Sequence, residues 1–126
     1  PRELHRFLAH LPAVLADAVG PETVTRLLAA VVVFAREHPV LAKVLADEPE
    51  LIGPFLTSDL HALVDRVSSI ATPLLHRAMD AGLVHRRDPV VIAEFLVRTT
   101  ISLVLAPPSG ELTDFLDQTV RPVLDR

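Results

Sequence analysis

The sequence has 126 residues, half of them hydrophobic and 22% charged, a balance that fits one packed domain and excludes a disordered tail. Twelve basic against sixteen acidic residues leave a net charge of −4, so this chain lacks the basic footprint of a nucleic-acid binder. The absence of cysteine excludes disulfide frameworks, thiolate zinc sites, iron–sulfur clusters and cysteine nucleophiles together.

In chain order, glycines and prolines cut the sequence into helix-length pieces, each with apolar residues at the three-and-four spacing of an amphipathic helix. Arg2–Val19 places Leu4, Phe7, Leu8, Leu11, Leu15 and Ala18 on one stripe, with Pro12 expected to bend it and Gly20-Pro21 to end it. Glu22–Glu37 carries Val24, Leu27, Leu28, Val31, Val32 and Ala35, until Pro39 forces an end. Val40–Ala46 reads as a short helix, and Asp47 with Glu50 as a capping-box variant opening a piece from Glu48 to Leu56. Thr57 or Ser58 is expected to cap a long helix, Asp59–Ala81, with a kink at Pro73 and a Schellman-type end at Gly82. Asp88-Pro89 reads as N-cap and first-turn proline of a helix to about Leu105. Glu111 to about Leu124 forms the last helix, loosened at Pro122. No strand pattern is present, and the expected fold class is all-α with about six or seven helices in a single domain, 1–126.

The helix from Pro89 to Leu105 has two apolar stripes: Val90, Ala93, Val97, Ile101 and Val104 on one side, and Ile92, Phe95, Leu96, Thr99 and Leu103 on another. One stripe can cover the chain's own core, leaving the second for the same helix of a two-fold-related copy, with the last helix packing beside it in a four-helix interface. The alternative is a central helix wrapped on all sides by its own chain. Arg98 follows Glu94 by four residues, the spacing of an intrahelical ion pair, and a second reading has it anchor an anionic ligand or cross the dimer seam.

The six histidines, His5, His10, His38, His61, His76 and His85, are scattered. His61 and Asp65 share a helix face but identify no third metal ligand, so no metal site is expected. Asp65, Ser69, Thr72 and His76 form a polar stripe that either faces water or orients a ligand in an apolar pocket. The four glycines stand apart and build no phosphate loop, and no serine sits in a nucleophile turn, so neither an enzyme nor a cofactor is expected. The longest apolar run, Leu27–Ala35, falls well short of the about 20 residues that span a bilayer. No signal-peptide order is present, and a cytoplasmic setting is expected. Met79 is the sole methionine, so a fragment or processed product is expected.

From Leu75 to Leu105 the chain resembles the C-terminal regulatory domain of TetR-family transcriptional repressors. The resemblance rests on Ala81-Gly82, Arg86-Arg87, Asp88-Pro89, Ala93-Glu94, Arg98 and the apolar run Ile101–Leu105. His38-Pro39 with Leu41 and Leu45, Glu48-Pro49, and Arg121-Pro122 extend it over most of the chain from Glu37 onward. The family's basic N-terminal helix-turn-helix is absent, and residues 1–19 look like the helix that joins it to the regulatory core.

The resemblance implies a homodimer through 88–125, with Ile92, Leu96, Leu103, Leu112, Phe115, Leu116, Thr119 and Val123 at the interface. It also implies a small lipophilic effector enclosed by helices from Glu22 through Ala81, and DNA contact only through the missing N-terminal domain. Phe55, Leu63, Val67, Met79 and Phe95, with His61 and Thr99 as polar contacts, are the candidate pocket residues. Effector binding would release DNA by shifting the joining helix. The rival reading is a helical dimerisation module without a small ligand, and a metal-dependent helical enzyme is a third.

Overall fold

Pro21 opens the first helix, α1 (Pro21–Glu37), at a position where an amide hydrogen would have had no helical partner. Pro39 then disfavours helical backbone at His38, which is extended at φ −65° and ψ 125° and ends the helix. His38 also starts α2 (Pro39–Asp47), its Nδ1 accepting the Val40 N–H at 3.3 Å. A 3₁₀ turn (Pro49–Leu51) leads into α3 (Ile52–Ser58), followed by α4 (Leu60–Asp80), α5 (Pro89–Leu105) and α6 (Leu112–Leu124). This computed structural model describes residues 19–125, and all regular structure among them is helical, as the sequence periodicity predicts. The expected helix over residues 2–19, with its bend at Pro12, lies outside the described residues except for Val19, which packs against the core.

Two helix ends form as their sequences dictate. Asp88 Oδ1 accepts the Val90 N–H at 3.0 Å, capping α5 with Pro89 at its first position. Gly82, at φ 75°, closes α4: its N–H donates to the Met79 carbonyl and that of Leu83 to the Ala78 carbonyl, both at 3.0 Å. Val84 then folds back into the core.

The expected caps around α3 do not form. Asp47 belongs to α2, and Glu48 starts the 3₁₀ turn without a side-chain cap, so the Asp47–Glu50 box is not made. Only Asp59 separates α3 from α4, and the helical ladder nearly continues through it, Asp59 N–H to Phe55 O at 2.9 Å and Leu63 N–H to Asp59 O at 3.1 Å. No opening is left for a cap from Ser58, and Thr57 Oγ1 turns back to the carbonyls of Gly53 and Pro54. Helices α4 and α6 run through Pro73 and Pro122, both exposed, where the carbonyls each proline leaves unbonded can reach water.

The core is a cluster shared by α1 (Val24, Val32), α4 (Leu75, Ala78, Met79), Val84, α5 (Ile92, Ala93, Leu96, Leu103) and α6 (Leu116, Val120, Leu124). Helix α5 packs along α4, and α1 packs against both α5 and α6. Leu116, Val120 and Leu124 are fully buried, each burial stabilising by roughly 1.5–3 kcal/mol relative to exposure. Side-chain and loop donors tie the same part together. Arg36 of α1 donates to the Val104 carbonyl in the last turn of α5. In the loop after α4, the His85 N–H donates to Leu124 O at 2.8 Å and Arg87 Nε to Val123 O at 3.3 Å. These carbonyls at helix C-termini have no intrahelical partner, and a cation also complements the negative end of the helix dipole.

Helices α5 and α6 bury other combinations of residues than those expected. On α5 the buried arc takes Ala93 and Val97 from one stripe and Ile92, Leu96 and Leu103 from the other, with Thr100 from neither, while Val90, Val91, Glu94, Phe95, Arg98 and Ser102 point outward. On α6 the buried line runs through Leu116, Val120 and Leu124, so Phe115 and Thr119 face out. Helix α6 makes its main contact with α1, which also contacts α5.

Candidate functional site

Four residues of α5, Arg98, Ile101, Ser102 and Leu105, fall at i, i+3, i+4 and i+7 and therefore share one face. That face meets Leu56 of α3 and Leu60 and Val64 of α4 across a groove of about 300 Å³, also lined by Ala106. This volume lies at the lower end of the roughly 300–1,000 Å³ of small-molecule sites. The walls are aliphatic, and polarity comes from Arg98 and Ser102 alone.

The polar pair is poised rather than spent. Arg98 Nε donates to Glu94 Oε2 at 2.8 Å, the ion pair predicted by their spacing, while its two terminal nitrogens have no hydrogen-bond partner among the described residues. Glu94 thus fixes the guanidinium plane and leaves its fork of donors open. Ser102 Oγ likewise has no partner among the described residues, whereas Thr72, Thr100 and Thr119 each bond a carbonyl one turn back in their own helices.

A second groove, of about 370 Å³, lies between α1 and the segment leading into α6. Its cation, Arg36, is already committed to the Val104 carbonyl, and Glu37 adds a carboxylate beside it. We therefore take the groove at Arg98 as the candidate site.

None of the seven predicted pocket residues lines either groove. Met79 is core, at 3% exposure, among Leu75, Ala78 and Val84. Phe95 stands on the outward face of α5, and Val67 and His61 are exposed on α4. Phe55, Leu63 and Thr99 are half-buried. The groove at Arg98 opens between α3–α4 and α5. The residues that sequence reasoning missed, Leu56, Leu60, Val64, Ile101, Ser102 and Leu105, had a signal on α5: the spacing of Ile101, Ser102 and Leu105 after Arg98. Nothing in the sequence indicated that α3 and α4 would face it.

Of the predicted interface residues, Ile92, Leu96, Leu103 and Leu116 are buried in the chain's own core. Leu112 and Val123 are half-buried against that core, and Phe115 and Thr119 are exposed.

The remaining polar clusters are surface pairs. His61 Nε2 and Asp65 Oδ2 lie 3.2 Å apart, both exposed, and no group of three potential metal ligands occurs among the described residues. Of the polar stripe on α4, Asp65, Ser69 and His76 are exposed and Thr72 is half-buried, with Ser69 Oγ donating to Arg66 O. Asp80 receives Arg86 Nη2 at 2.6 Å, with His76 Nδ1 at 3.6 Å. The Arg86 hydrogen bond above all, and then the charges of His76 and Arg86, hold the Asp80 carboxyl below its ordinary value against an opposing desolvation. No helix among the described residues is long and apolar enough to cross a membrane.

Comparison of the chain with family models, curated proteins and solved structures finds no match.

Proposed function

We propose that the chain is the effector-sensing and homodimerising domain of a TetR-type transcriptional repressor, acting in the cytoplasm and reaching DNA through a separate helix-turn-helix. The resemblance over Leu75–Leu105 suggests the class. The observation that carries a sensing role is the aliphatic groove between α3–α4 and α5, with the Ser102 hydroxyl and the terminal nitrogens of Arg98 open to it. A small lipophilic effector would wedge between the thinly packed α3–α4 segment and the well-packed α5. A ligand that binds the two arrangements unequally shifts their populations, and the shift can pass to the chain N-terminal to α1.

For the homodimer, the outward apolar residues Val90, Val91 and Phe95 of α5 and Phe115 of α6 are the available surface, in place of the buried residues that the sequence pattern favoured. These same residues favour the second reading, a dimerisation module without a ligand. A thermal-shift screen with lipophilic compounds, run beside sedimentation analysis, separates the two. Compounds that bind only the folded chain raise its melting temperature. A dimer that no compound stabilises supports the second reading, and a monomer at working concentration that no compound stabilises removes both.

A further inference from the structure

We infer that the groove at Arg98 takes an amphipathic monocarboxylate, its aliphatic chain lying along Leu56, Leu60, Ile101 and Leu105 and its carboxylate on the Arg98 fork. The inference rests on the sensing role proposed above and narrows it to one class of ligand.

Three features of the groove select this chemistry. The aliphatic lining, without an aromatic ring, offers area burial and no stacking partner. Arg98 is its single cation, and Nε is already held by Glu94, so the two Nη groups present parallel N–H donors that match the two oxygens of a carboxylate. Ser102 stands one turn further along the same face, with its hydroxyl available to a third hydrogen bond. A neutral alcohol or hydrocarbon would bury the same chain and leave the fork facing water. A dianion would set a second negative charge near Glu94, with no second cation lining the groove to balance it. In the other groove Arg36 already donates Nη1 to a backbone carbonyl, and the Glu37 carboxylate in the same lining disfavours an anion there.

The test is calorimetric titration of the 126-residue chain with n-octanoate and n-octanol, alongside Arg98→Met, which keeps the aliphatic stem, and Arg98→Lys. Arg98 is half exposed and outside the core, and retained helical circular dichroism and melting temperature check that the variants fold. The expected result is that octanoate binds about tenfold tighter than octanol, that Arg98→Met removes this preference without weakening octanol, and that Arg98→Lys restores part of it. Lengthening the carboxylate tightens binding by about fourfold per methylene until the groove is full. If octanol and octanoate bind equally and Arg98→Met changes neither, the carboxylate inference falls while the lipophilic-effector reading stands. If neither compound binds any of the folded proteins, the sensing role falls with it.

Discussion

Helices α1, α5 and α6, with the last two turns of α4, form one half of the molecule, and α2, the 3₁₀ turn, α3 and the first turns of α4 form the other. The first half holds the whole core cluster and the backbone ties from Arg36, His85 and Arg87. In the second, no residue from Pro39 through Ser58 is fully buried, and Val40 and Leu51 stand 64% and 52% exposed. Val64 is buried apart from the main cluster, and one turn on, the buried Ser68 Oγ lacks a partner among the described residues. The difference teaches where a ligand can act. The groove lies along the border between the halves, where added apolar contacts replace packing that the chain does not supply itself.

The comparison can be broken most sharply by deletion of core volume. Leu116→Ala should cost about 2–5 kcal/mol in equilibrium urea unfolding, and Val40→Ala less than about 0.5 kcal/mol. Equal losses would mean that the two halves contribute alike. Gly82→Ala should cost about 1–2 kcal/mol, because an added Cβ meets the left-handed backbone at φ 75° that closes α4; a neutral result would show that this end is not needed. Removing the cap of α5 by Asp88→Ala should cost about 1 kcal/mol in the same assay. Native-state hydrogen exchange should find the α2 and α3 amides opening well before those in the middle of α5 and α6, and uniform protection would contradict the division.

The smallest effect is at Asp80, on the surface of the well-packed half. Its folded carboxyl titrates below the ordinary value of 3.8, so its contribution is complete above that value and is lost as the pH falls through the lower folded one. Carboxyl NMR titration should place the midpoint below 3.8, and Arg86→Ala should return it toward 3.8.

Most of the helices were legible because their signals are local. The three-and-four apolar spacing, Asp88-Pro89 and Ala81-Gly82 each act within one turn, and each forms as read. What was illegible depends on neighbours. The apolar stripe of α6 could be drawn through Phe115 and Thr119 or through Val120 and Leu124, and only the position of α1 decides for the latter. Both stripes of α5 contribute to the chain's own core, Ala93 and Val97 from one and Ile92, Leu96 and Leu103 from the other, a division that periodicity alone does not give. At the site, Arg98 and its pairing with Glu94 were readable from spacing, whereas Leu56, Leu60 and Val64 enter because α3 and α4 meet α5 there.

The pairing of α1 with α6 also bears on how the chain is made. These partners stand at opposite ends of the described sequence, and during synthesis Val24 and Val32 emerge from the ribosome long before Leu116, Val120 and Leu124. Helices can form as they appear, yet the side of α1 that meets α6 stays uncovered until residues 112–124 have been made. Until then α5 is the only one of its two core partners that α1 can reach.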